Sequence, residues 1–244
     1  MPYQIFDGVY NSFDEAGGST QFFNSKVYLE KANERLLAAI AELAPVNDYV
    51  FAPFVAGLLM ERGTLSVLDF GGGPGISYLT LKHSLVSFEG LTYHSLDDEE
   101  ICAIGRRHFS DDEASRIFRD QVSNLDAHYD FVHFGSVLQY VDDLGNLLSM
   151  IKEKSPKYIA ISDAMIGSER TFVTVQDYYG HKHPFRFYNR ADMLAAFAAV
   201  GYELVVEIPH IPKIKGQTRF YDMSNLPTDC RTDRTYHLVF KVRG

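Results

Sequence analysis

At 244 residues, the chain is long enough for one large α/β domain with a helical appendage, and its formal net charge of −9 argues against nucleic acid, because a phosphate binder needs a basic face. Hydrophobic residues at 46% and charged residues at 23% are those of an ordinary globular protein. No run reaches the ~18 apolar residues of a membrane span and no charged-then-apolar leader opens the chain, so the expected location is cytoplasmic and the expected partner a small molecule.

Residues 1–63 read as a helical cap or lid. An aromatic, glycine-rich start (Tyr3, Phe6, Tyr10, Phe13, Gly17, Gly18) leads into a helix with Leu29, Ala32, Leu36, Ile40 and Leu43 at helical spacing, ended by Pro45. A second helix is expected from about 49 to 61, stopping at Gly63. From residue 64 onward, strand and helix alternate. Strands are expected at 65–70, 91–97, 115–120, 130–135, 157–163, 203–208 and 235–242, with helices at 75–86, 98–109, 142–154 and 190–200. The helix after Asp97 opens on acids and closes on Arg106, Arg107 and His108, as the helix dipole favours; Asp142 and Asn189 are candidate caps for the last two. This order implies an α/β, doubly wound, seven-stranded sheet, mostly parallel, with one antiparallel strand supplied by the tail. The runs DFVHF and YIAIS suit strands buried on both faces, which makes His133 a core histidine. Cys102 and Cys230 cannot make a disulfide framework and read as reduced thiols.

The stretch VLDFGGGPGISYL carries the chemistry. A dinucleotide turn needs G-x-G-x-x-G; Gly71 and Gly73 fit, but the third position falls on Ile76, and no Lys-Ser/Thr pair follows to make a P-loop. What stands there is Asp69-x-Gly71-x-Gly73-x-Gly75, after a strand and before a helix. With this pattern the chain resembles the class I S-adenosylmethionine-dependent methyltransferases over about residues 65–242. The resemblance implies a Rossmann-like sheet and S-adenosylmethionine as cofactor. It also implies that Asp69 organises the turn and the amino-acid end of the cofactor, with Gly71, Gly72, Gly73 and Gly75 letting the backbone approach closely. Asp97, about twenty residues on, takes the place of the acid that grips the ribose hydroxyls; Asp98 is the alternative, though it also suits a helix start. Asp120 takes the place of the adenine contact. Gly135, Ser136 and Gln139, in GSVLQYVDD, are expected to line the cofactor, but Gln139 and Tyr140 stand where many members carry two histidines.

VLDFGGGPGISYL, SVLQYVDD, TFVTVQ and RFYNRADMLAAFAAVGYELV also resemble a family of methyltransferase-like proteins encoded among bacterial surface-polysaccharide genes. That resemblance implies polysaccharide biosynthesis and a sugar or nucleotide-sugar acceptor.

The acceptor is expected at a mouth bordered by the glycine turn, GSVLQY and an insert of about 164–189 after the fifth strand; a loop of about 209–234 joins the last two strands. Asp163, Gln176, Tyr178, Tyr179, His181, His183, Arg186 and Arg190 crowd the insert, with rings to stack, arginines to take an anion and His181, His183 or Asp163 to take a proton. Each of these three also has an ordinary surface reading. Alternate histidines without a third ligand make a poor metal site, so no metal is expected. Phe22, Phe23 and Tyr28 are candidates for a lid, or for a homodimer contact. The competing functions are a catalytically inactive binding or scaffold protein of the same fold, and a nicotinamide enzyme, which Ile76 and the lack of a Tyr-x-x-x-Lys pair disfavour.

Overall fold

The structure, a computed structural model, describes residues 4–18, 20–42, 50–109, 125, 128–214, 217–218 and 220–244. In chain order its elements are β1 (Phe6–Tyr10), α1 (Phe13–Ala16), α2 (Lys26–Glu42), α3 (Phe51–Arg62), β2 (Leu65–Phe70), α4 (Ile76–Ser84), β3 (Leu91–Leu96) and α5 (Glu99–Phe109). Then come β4 (Phe131–Gly135), α6 (Leu144–Glu153), β5 (Tyr158–Ala164), β6 (Ile166–Ser168), β7 (Phe172–Tyr178), β8 (His181–Asn189), α7 (Arg190–Ala199) and β9 (Tyr202–His210). The last are β10 (Lys213–Ile214), β11 (Gln217–Thr218) and β12 (Thr235–Val242). The expected strand at 115–120, and Asp120 with it, lies outside the described residues.

The chain forms two compact units, each assembled from separate segments: Asn24–Gly135 with Met150–Ser162, and Met1–Phe23 with Ser136–Ser149 and Asp163–Gly244. They divide the chain elsewhere than at residue 63, because α2 and α3 go with the glycine-rich turn and only the first 23 residues go with the insert.

In the first unit, β3, β2, β4 and β5 lie side by side and parallel, with Val67 paired to both Tyr93 and Phe131, and Phe131 to Tyr158. Val67, Leu68, Phe131, Val132, Phe134 and Ile159 are completely buried, as strands covered on both faces require. Helix α2 buries Ala32, Leu36 and Ala39, one stripe at helical spacing, and packs on α4 and α5. Helix α3 ends at Gly63, whose left-handed backbone (φ 74°) lets its N–H reach Leu59 O at 2.8 Å. Helix α5 carries Glu99 and Glu100 in its first turn and Arg106, Arg107 and His108 in its last, as its sequence implies.

The second unit departs from the expected loop-like insert. Strands β1, β7, β8 and β6 form a four-stranded sheet, with β1–β7 and β7–β8 antiparallel and β6–β8 parallel. The β7–β8 hairpin closes on Tyr178↔His181 around Tyr179 and Gly180, both at positive φ (53° and 77°), the backbone of a two-residue primed turn. Tyr-Gly is not a common turn pair, and the polar residues around it hide the alternation. Strand β1 adds Phe6 to a cluster with Ile5, Met165, Phe172, Phe185 and Phe187. The tail behaves as expected: β9 and β12 pair antiparallel, and Phe197 of α7 stacks on Phe240 at 4.0 Å. Asn189 caps α7, its side chain accepting from Ala191 N–H at 2.8 Å. The other cap is displaced by one residue: Asp143, not Asp142, accepts from Asn146 N–H at 2.9 Å in the first turn of α6.

Candidate active site

Strand β2 runs straight into the glycine turn. Gly71, Gly73 and Gly75 take φ of 69°, 60° and 101°, a region that side chains with a Cβ rarely enter, and Gly75 opens α4. A Cβ on Gly72 would collide with Ser95 Oγ and stand 2.6 Å from Asp69 Oδ2, whereas one on Gly73 would meet nothing within 4 Å. The turn is therefore packed against protein beneath Gly72 and open at Gly73. Gly71 N–H donates to Leu96 O at 2.8 Å, tying the turn to the end of β3.

Asp97 follows β3 and closes the other side. Its Oδ2 accepts from Gly73 N–H and its Oδ1 from Asp98 N–H, both at 2.8 Å. Burial pushes its carboxyl up to about 6, against the opposing effect of those two backbone bonds. Asp98 is exposed, and its carbonyl accepts from Cys102 N–H at 2.9 Å, so it serves the start of α5.

Asp69 is completely buried. Tyr93 OH donates to its Oδ2 at 2.6 Å, and His133 Nδ1 lies 2.7 Å from its Oδ1. A carboxylate only accepts, so Nδ1 donates, and His133 Nε2 is hydrogen-bonded to Ser162 Oγ at 2.9 Å. Phe51 stacks on the imidazole at 4.1 Å. Burial, then the neighbouring carboxylate, pushes the Tyr93 phenol well above its ordinary range. Ser162, His133 and Asp69 stand in the order of a hydrolytic triad, yet all three are buried, so no substrate reaches the hydroxyl. His133 is the core histidine that the sequence implies.

The second unit holds the remaining candidates. Ser136 and Asp163 both take left-handed backbone (φ 55° and 59°), which is strained for residues with a Cβ. Ser136 Oγ donates to Asp163 Oδ2 at 3.0 Å, and Gln139 Nε2 donates to Ser136 O at 2.8 Å and to its Oγ at 3.1 Å. Asp163 Oδ1 is buried and has no hydrogen-bond partner among the described residues.

Gln176 and His183 face each other across the hairpin. Gln176 Oε1 accepts from Tyr140 OH at 3.0 Å and from His183 Nε2 at 2.7 Å, which uses both lone pairs of the amide oxygen. With its proton on Nε2, His183 carries a lone pair on Nδ1, and that atom is buried with no partner among the described residues. Phe22 (5.3 Å, nearly parallel), Tyr140 (5.5 Å), Phe23 (5.6 Å) and Tyr178 (6.4 Å) surround the imidazole. This burial pushes His183 down to about 4. His181 is exposed and lies against Phe22 at 4.8 Å.

The expected anion-binding arginines are engaged elsewhere. Arg186 donates to Val141 O at 3.0 Å and Asp142 Oδ1 at 3.1 Å, and covers the Phe13 ring; Arg190 makes a two-pronged pair with Glu207 at 2.9 and 2.6 Å. Sequence reasoning gave no role to Tyr93, Tyr140 or Ser162. The signal for Tyr140 was its position where relatives of the implied family carry histidine.

Comparison with known proteins is consistent with this geometry. The family model described as a methyltransferase domain matches residues 28–207. No curated relative matches the chain in sequence. Among solved structures, the chain is similar to magnesium protoporphyrin IX methyltransferase from Synechocystis PCC 6803 with bound SAH (TM-score 0.51, 14% identity, 79% of this chain and 82% of that one). It is similar to an S-adenosylmethionine-dependent methyltransferase from Clostridium acetobutylicum ATCC 824 (0.51, 13%, 82% and 94%). It also resembles the Burkholderia thailandensis 1,6-didemethyltoxoflavin-N1-methyltransferase, solved with that compound and S-adenosylhomocysteine (0.53, 17%, 79% and 77%). These likenesses share an α/β fold with a mostly parallel central sheet and flanking helices. With the family model spanning most of its length, the chain belongs to the methyltransferase domain family.

Proposed function

We propose that this methyltransferase takes S-adenosylmethionine at the Gly71–Gly75 turn and acts on a small-molecule acceptor by direct in-line transfer. One observation carries the reading: a turn of left-handed glycines, packed beneath Gly72 and open at Gly73, beside a half-buried carboxylate. That cradle fits a cofactor without a pyrophosphate, which needs close backbone approach rather than a phosphate nest. When bound, the cofactor supplies an electrophilic methyl group on a sulfonium. Asp97 offers its remaining lone pairs to the two ribose hydroxyls. Gly135, Ser136 and Gln139 line the cofactor, Asp98 is the second acid beside Asp97, and Asp120 meets the adenine.

His183 Nδ1 takes the acceptor's proton; Asp163 Oδ1 is the alternative acceptor of that proton, and His181 the more exposed one. The rings around His183 suit the apolar face of a sugar, in line with the resemblance to proteins of surface-polysaccharide gene clusters. Phe22 and Phe23, which cover His183, act as its lid, and holding the reacting groups away from water supplies much of the rate.

The experiment is isothermal titration with S-adenosylmethionine, S-adenosylhomocysteine and NAD, repeated on Asp97→Ala. Binding of the first two, lost in the variant and absent for NAD, supports the reading. Either contrary result overturns it: binding of NAD alone points to a nicotinamide enzyme, and binding of none of the three leaves a scaffold protein of methyltransferase fold.

A further inference from the structure

Beneath the glycine turn lies a buried support. Asp69 Oδ2 stands 2.6 Å from where a Gly72 Cβ would be, and His133 Cε1 stands 3.0 Å from where a Gly135 Cβ would be. The Asp69–His133 pair therefore underlies both glycine positions assigned above to the cofactor, one after β2 and one at the end of β4. Each end of the pair is anchored: Tyr93 on the next strand holds Asp69, and Ser162 on the strand beyond holds His133. The chain Tyr93–Asp69–His133–Ser162 thus crosses β3, β2, β4 and β5 in sheet order. Every member is buried, and the carboxylate has both oxygens engaged. A buried network with all partners present has one geometry, and the turns above it inherit that geometry.

We propose that His133 is a positioning residue for the cofactor: by donating to Asp69 it fixes the carboxylate under Gly72 and so sets the shape of the Gly71–Gly75 turn. This rests on the cofactor reading above. His133 touches no reacting atom. Its work is to hold Asp69 in place beneath Gly72, where a Cβ would stand 2.6 Å from Oδ2.

The test compares two substitutions that both remove the ring. His133→Asn keeps an N–H close to the place of Nδ1 and can still donate to Asp69; His133→Leu cannot. Both lose the stacking on Phe51 and the bond to Ser162, so both lower the melting temperature. S-adenosylhomocysteine affinity, measured by titration at a temperature where circular dichroism shows each variant folded, is expected to fall about tenfold or more for Leu and less than about threefold for Asn. Tyr93→Phe, which removes the other donor to Asp69 while leaving the imidazole, is expected to weaken binding about fivefold. Leu36→Ala, a core change in α2 of the same unit, controls for lost stability and is expected to leave the affinity unchanged. Equal affinity in wild type, Asn and Leu variants overturns the proposal and makes the network a matter of stability alone. Equal loss in Asn and Leu variants also overturns it, assigning the effect to ring packing. Failure of the wild-type protein to bind S-adenosylhomocysteine is a separate result, and it removes the cofactor reading itself.

Discussion

Two histidines, each completely buried, stand in the two units in opposite states of satisfaction. His133 has a carboxylate on one nitrogen and a hydroxyl on the other. His183 has an amide oxygen on Nε2 and nothing among the described residues on Nδ1. A fully satisfied buried network is rigid and specifies one arrangement, while a buried acceptor without a partner is a cost to folding. Burial alone would rank the two equally; the accounting of lone pairs separates them.

The sharpest way to break this comparison is to remove each ring in turn. His133→Leu leaves Asp69 buried with one donor fewer and is expected to cost about 3–5 kcal/mol in urea unfolding. His183→Leu removes one neutral bond and an unmet acceptor, and should cost less than about 1.5 kcal/mol. Costs in the reverse order would show that the roles are exchanged.

Next in size is Asp97→Ala: on the proposed ribose contact it is expected to weaken S-adenosylhomocysteine binding roughly a hundredfold, about 3 kcal/mol, through loss of two charge-assisted bonds. Titration calorimetry reads it directly.

The two units should also respond to pH in opposite directions. His183 is pushed down to about 4, so its folded form holds the proton less well than the unfolded chain. Its contribution to stability is complete above about pH 6.5 and is lost as the pH falls toward about 4, a change of about 3 kcal/mol. His183→Gln is expected to flatten that part of the curve in chemical unfolding at pH 4.5, 5.5 and 6.5. Asp97 is pushed up to about 6, so its contribution is present at low pH and is lost as the pH rises through about 6. On the proposed role of Asp97 as the acceptor for the ribose hydroxyls, S-adenosylhomocysteine affinity should be about tenfold weaker at pH 5 than at pH 7. Asp97→Asn, weak at every pH, should lose that dependence.

The smallest effect is expected at the surface. Arg190→Ala breaks an exposed pair with Glu207 and should change stability by less than about 1 kcal/mol and cofactor affinity not at all.

What the sequence disclosed and what it withheld follow from distance along the chain. The turn from Asp69 to Gly75, and Asp97 after the next strand, are local, because a strand, a tight turn and a helix leave their marks in consecutive residues. The parallel strands, α2 with its buried stripe and the antiparallel tail were legible by periodicity. The pairing of Asp69 with His133 joins residues 64 positions apart and depends on β2 and β4 lying side by side in one register, which no periodicity states. The insert was misread as loop because Tyr179-Gly180 is an uncommon hairpin pair and its strands carry His, Lys and Asp at exposed positions. Gln176 was seen as one polar residue among many; its place opposite His183 is a matter of hairpin register. Arg186 and Arg190 were read as free cations because a sequence does not show that Asp142 and Glu207 come to meet them.

Strand β1 has a bearing on how the chain is made. Phe6 pairs with Gln176 and Tyr10 with Val173, and Gln4 donates to Asp222 and Ser224 across separations of 218 and 220 residues. During synthesis β1 has to wait for β7 before it gains this neighbour, while the parallel strands of the other unit gain theirs earlier. Contacts this remote are slow to close and leave an unpaired edge in the interval. A chain without β1 would leave β7 as a bare edge, ready to pair with another copy.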